Sequence, residues 1–62
     1  MIRIESNTFA EACYDQNSIA ELQEALAGPA DATDCAEWKI TPEQWRAEIE
    51  LALAAKLEDR NA

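Results

Sequence analysis

Two cysteines, thirteen acids and no histidine are the side chains of this 62-residue chain from which chemistry could be built. Without histidine the commonest neutral-pH base and metal ligand is missing, and neither a serine triad nor a Cys–His pair can be assembled. Gly28 is the single glycine, so no glycine-rich phosphate loop exists. Cys13 and Cys35 stand 22 positions apart and form no CxxC pair, which removes the thioredoxin-type signature. In a reducing cytosol their default state is two buried free thiols, although a disulfide would suit so small a core. Two thiols alone do not complete a zinc site within one chain.

Asp15-Gln16-Asn17 begins like a calcium loop. Ala20 then occupies the sixth position, where glycine makes the turn, and Leu26 the twelfth, where a bidentate glutamate closes the site. Paired carboxylates can do acid–base work, but nothing in the sequence indicates a pocket to tune them. The chain is therefore expected not to be an enzyme, and to need neither cofactor nor metal.

The elements that would position the acids read as strand–helix–helix–strand–helix. Over residues 1–5, Ile2 and Ile4 alternate with Arg3 and Glu5, the pattern of a half-buried strand. Ser6 or Thr8 caps a short helix ending near Tyr14, with Phe9, Ala12 and Cys13 on one face. Ser18-Ile19-Ala20-Glu21 is a capping box that opens a second helix, ended by Gly28-Pro29. Residues 28–34 have loop composition. Ala36, Trp38 and Ile40 alternate with Glu37 and Lys39 as a second strand. Thr41-Pro42-Glu43-Gln44 starts the last helix, which runs to about Asp59. Trp45, Ile49, Leu53 and Leu57 lie on its inner stripe, flanked by Ala52.

The expected fold is thus α+β: a single β-α-α-β-α domain with three helices on one face of a two-stranded sheet. Its expected core is Ile2, Ile4, Phe9, Ile19, Leu22, Leu26, Trp38, Ile40, Trp45, Ile49 and Leu53.

With catalysis set aside, the placement of charge becomes the informative feature. The formal net charge is −8. Eight acids lie between Ile4 and Trp38, a stretch with no lysine or arginine. Residues 1–38 carry −7 once Arg3 is counted, and residues 39–62 carry −1. Ordinary surfaces intersperse both signs. Such a balance repels nucleic acid and anionic membranes and attracts cationic partners. On the expected fold, Glu21, Glu24, Asp31, Asp34 and Glu37 share one acidic face, with Asp15 and Glu11 at its edge. Carboxylates one helical turn or one strand step apart are ~5–7 Å apart, a phosphate-like spacing. A basic groove made for phosphate would accept them, since arginine binds carboxylates bidentately. Charge reversal at Asp31, Asp34 and Glu37 is the change expected to abolish binding while sparing the fold.

A compact, acidic chain of this size without catalytic equipment resembles the phage-encoded anti-CRISPR proteins of the DNA-mimic type. The resemblance lies in size, charge and style across the whole chain, and no motif carries it. It implies an inhibitor that occupies the duplex-reading surface of a CRISPR–Cas effector complex. The expected partner is thus a nucleic-acid-binding protein or complex with a basic groove, and direct binding to nucleic acid is not expected.

Two other readings remain. Ala47, Leu51 and Ala54 form a thin apolar strip on the outer side of the last helix, which could dock a non-mimetic adaptor. Cys13, Cys35 and nearby carboxylates could form a thiol or metal module. The N-terminus lacks the basic-then-apolar pattern of a secretory signal, and no run approaches the ~20 apolar residues of a membrane span. The expectation is a monomer in the cytoplasm, that of the host cell if it is phage-encoded.

Overall fold

A computed structural model of the chain describes residues 2–61. It consists of four helices: α1 (Phe9–Gln16), α2 (Ile19–Ala27), α3 (Ala32–Trp38) and α4 (Pro42–Asn61). Among the described residues there is no strand. The α+β expectation, with its two-stranded sheet, is therefore corrected to an all-helical fold.

The physical reason lies in residues 31–40. Asp31 caps α3 by accepting the Asp34 N–H on Oδ1 at 3.0 Å. Asp, like Ser at the start of α2, is a preferred N-cap residue. Cys35 and Trp38 then fall three positions apart, one helical turn, so their apolar spacing fits a helix as well as a strand. Lys39 leaves the helix in the left-handed region, at φ 56° and ψ 46°. The Ile40 N–H reaches back to the Cys35 carbonyl at 3.0 Å, and both side chains pack against the core. This is a Schellman-type stop, here without the usual glycine. With residues 36–40 helical or turning, the segment around Ile2 and Ile4 has no partner for a ladder, and a lone strand is not stable in water. Met1, the first residue of that expected strand, lies outside the described residues. Ile2 and Ile4 are half-buried instead, and the Ile2 N–H donates to Glu58 Oε1 at 3.2 Å.

The remaining helix starts follow the sequence. Thr8 caps α1 and accepts the Glu11 N–H on its hydroxyl at 3.3 Å. Ser18 and Glu21 form the reciprocal capping box of α2. Thr41 accepts the Gln44 N–H at 3.1 Å, with Pro42 in the first turn of α4.

Each short helix packs against α4. Phe9, Cys13, Leu22, Trp45, Ile49 and Ala52 form the buried cluster. Ala10 and Ala55 are buried as well. Small side chains at such positions let helix axes approach closely. Of the expected core, Phe9, Leu22, Trp45 and Ile49 are buried. Leu26, Ile40 and Leu53 are half-buried against the cluster, Ile2, Ile4 and Ile19 are half-buried, and Trp38 is 37% exposed.

α2 ends at Gly28, but Gly28 is extended (φ −110°, ψ −175°) and makes no left-handed cap. The carbonyls this leaves are taken from across the fold. The Arg46 guanidinium on α4 donates to the Leu26 carbonyl at 2.8 Å and the Gly28 carbonyl at 2.9 Å.

Candidate functional site

The seven carboxylates singled out from sequence are distributed over the three short helices. Glu21 and Glu24 are exposed on α2. Glu11 and Asp15 lie one turn apart on α1. Asp31 caps α3, Asp34 is half-buried in its first turn, and Glu37 is exposed one turn further along. Glu37 was expected on the solvent side of a strand. On a helix it instead continues the line of Asp31 and Asp34 at i, i+3 and i+6, where neighbours three apart are about 5–6 Å from one another.

Four of the seven have structural partners. Glu11 Oε1 accepts the Asn7 N–H at 3.1 Å, and Glu21 Oε1 accepts the Ser18 N–H at 2.8 Å. Asp31 is the N-cap of α3. Asp34 Oδ2 accepts the Trp45 indole N–H at 3.2 Å, which satisfies the polar edge of a buried tryptophan. These four thus sit at helix N-termini, where the macrodipole favours negative charge. Three helices beginning between Phe9 and Ala32 require three such starts. Among the described residues no polar or charged residue is buried, so the carboxylates stand at the surface.

Two nearby groups are held above their ordinary pKa, chiefly for other reasons, with these charges adding to the shift. The Cys13 thiol is pushed up to about 11, first by burial and then by the charges of Asp34 and Glu48. The Tyr14 hydroxyl is also held up, chiefly because it donates a hydrogen bond to Asp59, with burial and the charges of Asp59 and Asp15 adding to this. The Lys56 ammonium lies 4.7 Å from the Tyr14 ring centroid. Cys13 and Cys35 are free thiols. Among the described residues no three cysteine and carboxylate side chains gather into a metal-holding group.

Sequence reasoning missed the concave surface beside these acids. A groove of about 380 Å³ runs between α1 and α3. Phe9, Ala12 and Cys13 line it from α1, and Asp34, Glu37 and Trp38 from α3. The expected strand turned Trp38 inward and hid the groove. The Asp31–Asp34 spacing ahead of Cys35 and Trp38 was the signal that would have found it. The apolar strip on α4 is thinner than its sequence indicates: Ala47 is exposed, but Leu51 and Ala54 are half-buried.

The chain matches no protein-family model, no curated protein and no solved structure. Among the described residues no helix is long and apolar enough to cross a membrane.

Proposed function

We propose that the chain is an inhibitory binding protein that occupies the basic, nucleic-acid-binding surface of a partner by presenting carboxylates in place of phosphates. The observation that carries this is the run from Ile4 to Trp38, with eight acids and no base, borne mainly on three short helices that each pack on α4. A CRISPR–Cas effector complex is the partner to which the resemblance in size and charge points, in the cytoplasm of the cell that contains it. Neither catalysis nor a cofactor enters this mechanism. Binding is electrostatic, so affinity falls steeply with salt.

The structure changes the choice of test residues. Asp31 and Asp34 hold α3 and Trp45, so reversing them would damage the fold and the surface together. Asp15, Glu24 and Glu37 are exposed and make no such bonds. Replacing all three with lysine adds two charges per site and takes the net charge from −8 to −2. The immobilised protein should capture a nucleic-acid-binding complex that elutes with moderate salt and loses duplex binding when free protein is added. The triple lysine variant, folded by circular dichroism, should bind that complex at least about tenfold more weakly. Undiminished binding by the folded variant would refute Asp15, Glu24 and Glu37 as contacts, and a captured complex that keeps its duplex binding when free protein is added would refute the mimicry. Capture of a salt-resistant partner with no nucleic-acid role would favour the adaptor reading through Ala47, Leu51 and Ala54.

A further inference from the structure

The buried aromatic core extends to the surface at one place. Trp45, 3% exposed, stacks on Phe9 with ring centroids 6.4 Å apart and planes inclined at 29°. Phe9, 6% exposed, meets Trp38 at 5.6 Å and 57°. Trp38 is the one large hydrophobic residue among those described that is exposed. Its indole thus meets a buried ring at a tilt and is partly exposed to solvent. Asp34, tied to the Trp45 indole through Oδ2, and Glu37 stand beside it on the same groove.

We propose that this groove receives an arginine side chain from a basic segment of the partner protein. The guanidinium lies against the Trp38 indole with the Glu37 and Asp34 carboxylates beside it, and its aliphatic stem covers Phe9, Ala12 and Cys13. This rests on the proposed basic partner and names the chemistry by which that partner is held. Charge complementarity selects the occupant. Asp31, Asp34 and Glu37 on α3 face a single nearby base in sequence, Lys39, within a chain of net charge −8. Arginine fits better than lysine because its planar, weakly hydrated cation stacks on an aromatic face and still offers donors at its edge for carboxylates. A tryptophan already held by Phe9 loses little freedom on binding, which is the condition for an anchor residue.

The test uses the intact chain and two short peptides of equal charge, one alternating arginine with glycine and the other lysine with glycine. Titration is followed by calorimetry and by tryptophan emission. The arginine peptide should bind at least about fivefold more tightly than the lysine peptide and perturb the emission. Trp38→Ala should erase that preference, Trp38→Phe should keep part of it, and Glu37→Gln should weaken the arginine peptide by about threefold or more. Equal affinity for the two peptides on the unmodified chain overturns the proposal, as does an arginine preference that is undiminished in the folded Trp38→Ala and Glu37→Gln variants. The two readings fail separately. A captured complex that is salt-sensitive and competes with duplex, yet binds Trp38→Phe and Glu37→Gln undiminished, sinks the groove and leaves mimicry standing. Arginine selectivity at Trp38 with no competition against nucleic acid sustains the groove and sinks mimicry.

Discussion

Arg46 offers the sharpest test of how this small fold is held. Its guanidinium joins α4 to the end of α2 through the Leu26 and Gly28 carbonyls, at 2.8 and 2.9 Å. Hydrogen bonds to charged groups are worth about 1.5–3 kcal/mol each when well buried. Arg46 is half-buried, so water recovers part of that on deletion, and about 1 kcal/mol per bond is the fair discount. Arg46→Met keeps the apolar stem and loses both bonds, for a cost of about 2 kcal/mol. A 62-residue domain has roughly 3–9 kcal/mol of total stability. The melting temperature should therefore fall by about 8–16 °C. Arg46→Lys retains a cation but not the fork, and should lose about half as much. Arg60→Met removes the same charge from an exposed position in the last turn of α4, which controls for the increase in net negative charge. Thermal melts by circular dichroism would read the series. An Arg46→Met melt within about 2 °C of the Arg60→Met melt would refute the clamp.

Trp45→Ala should cost about 3–5 kcal/mol and leave the chain largely unfolded, whereas Trp38→Ala, on an indole already 37% exposed, should cost about 1–2 kcal/mol and still melt cooperatively. Equal losses in the two variants would contradict the placement of Trp38. Stability should also fall in alkali. Cys13 ionises near 9.0 when unfolded and near about 11 when folded, so its contribution is complete below pH 9 and is lost as pH rises toward 11, by about 2–3 kcal/mol. Tyr14, also raised, acts in the same direction. Urea denaturation across that range should show the decline, reduced in Cys13→Ala, and a flat profile in the unmodified chain would count against the buried thiol.

What was legible in the sequence was local. Ser18 and Thr41 announce their helices because an N-cap is a property of a few consecutive residues, and each caps its helix in the structure; of the two candidates Ser6 and Thr8 for the first helix, the structure uses Thr8. The inner face of the last helix could be read from its period only in its first half: Trp45 and Ile49 are buried, but further along Ala52 and Ala55 are buried in place of the expected Leu53 and Leu57, which are half-buried. Residues 36–40 were misread because five alternating residues carry no more periodicity than a helical turn followed by a left-handed residue. Nothing in the composition of Lys39 announces φ 56°, since glycine or asparagine is the usual sign of such a stop. The bond from Arg46 to α2 was invisible for a different reason. It joins positions 18 and 20 apart, and only the packing of α2 on α4 brings them together.

The capping role of the acids bears directly on what the acidic surface can do. A run of eight acids without a base looks, in sequence, like a surface selected for charge. The helix starts supply a second cause, because Glu11, Glu21 and Asp31 each satisfy a backbone N–H that would otherwise be unpaired. The two causes do not compete. A cap uses one oxygen of the carboxylate and leaves its negative charge in place, and it holds the side chain in one rotamer. A mimic of phosphate needs fixed charges, since ordering a loose glutamate on binding costs about 0.5–1.5 kcal/mol per side chain. Carboxylates already ordered by helix starts avoid most of that cost. The uncapped Asp15, Glu24 and Glu37 do not, and they are the ones that can be altered without harm to the fold. Their reversal therefore measures only the flexible share of the surface. Partial loss of affinity in the triple lysine variant, with strong salt dependence remaining, would mean that the capped carboxylates bind as well as fold.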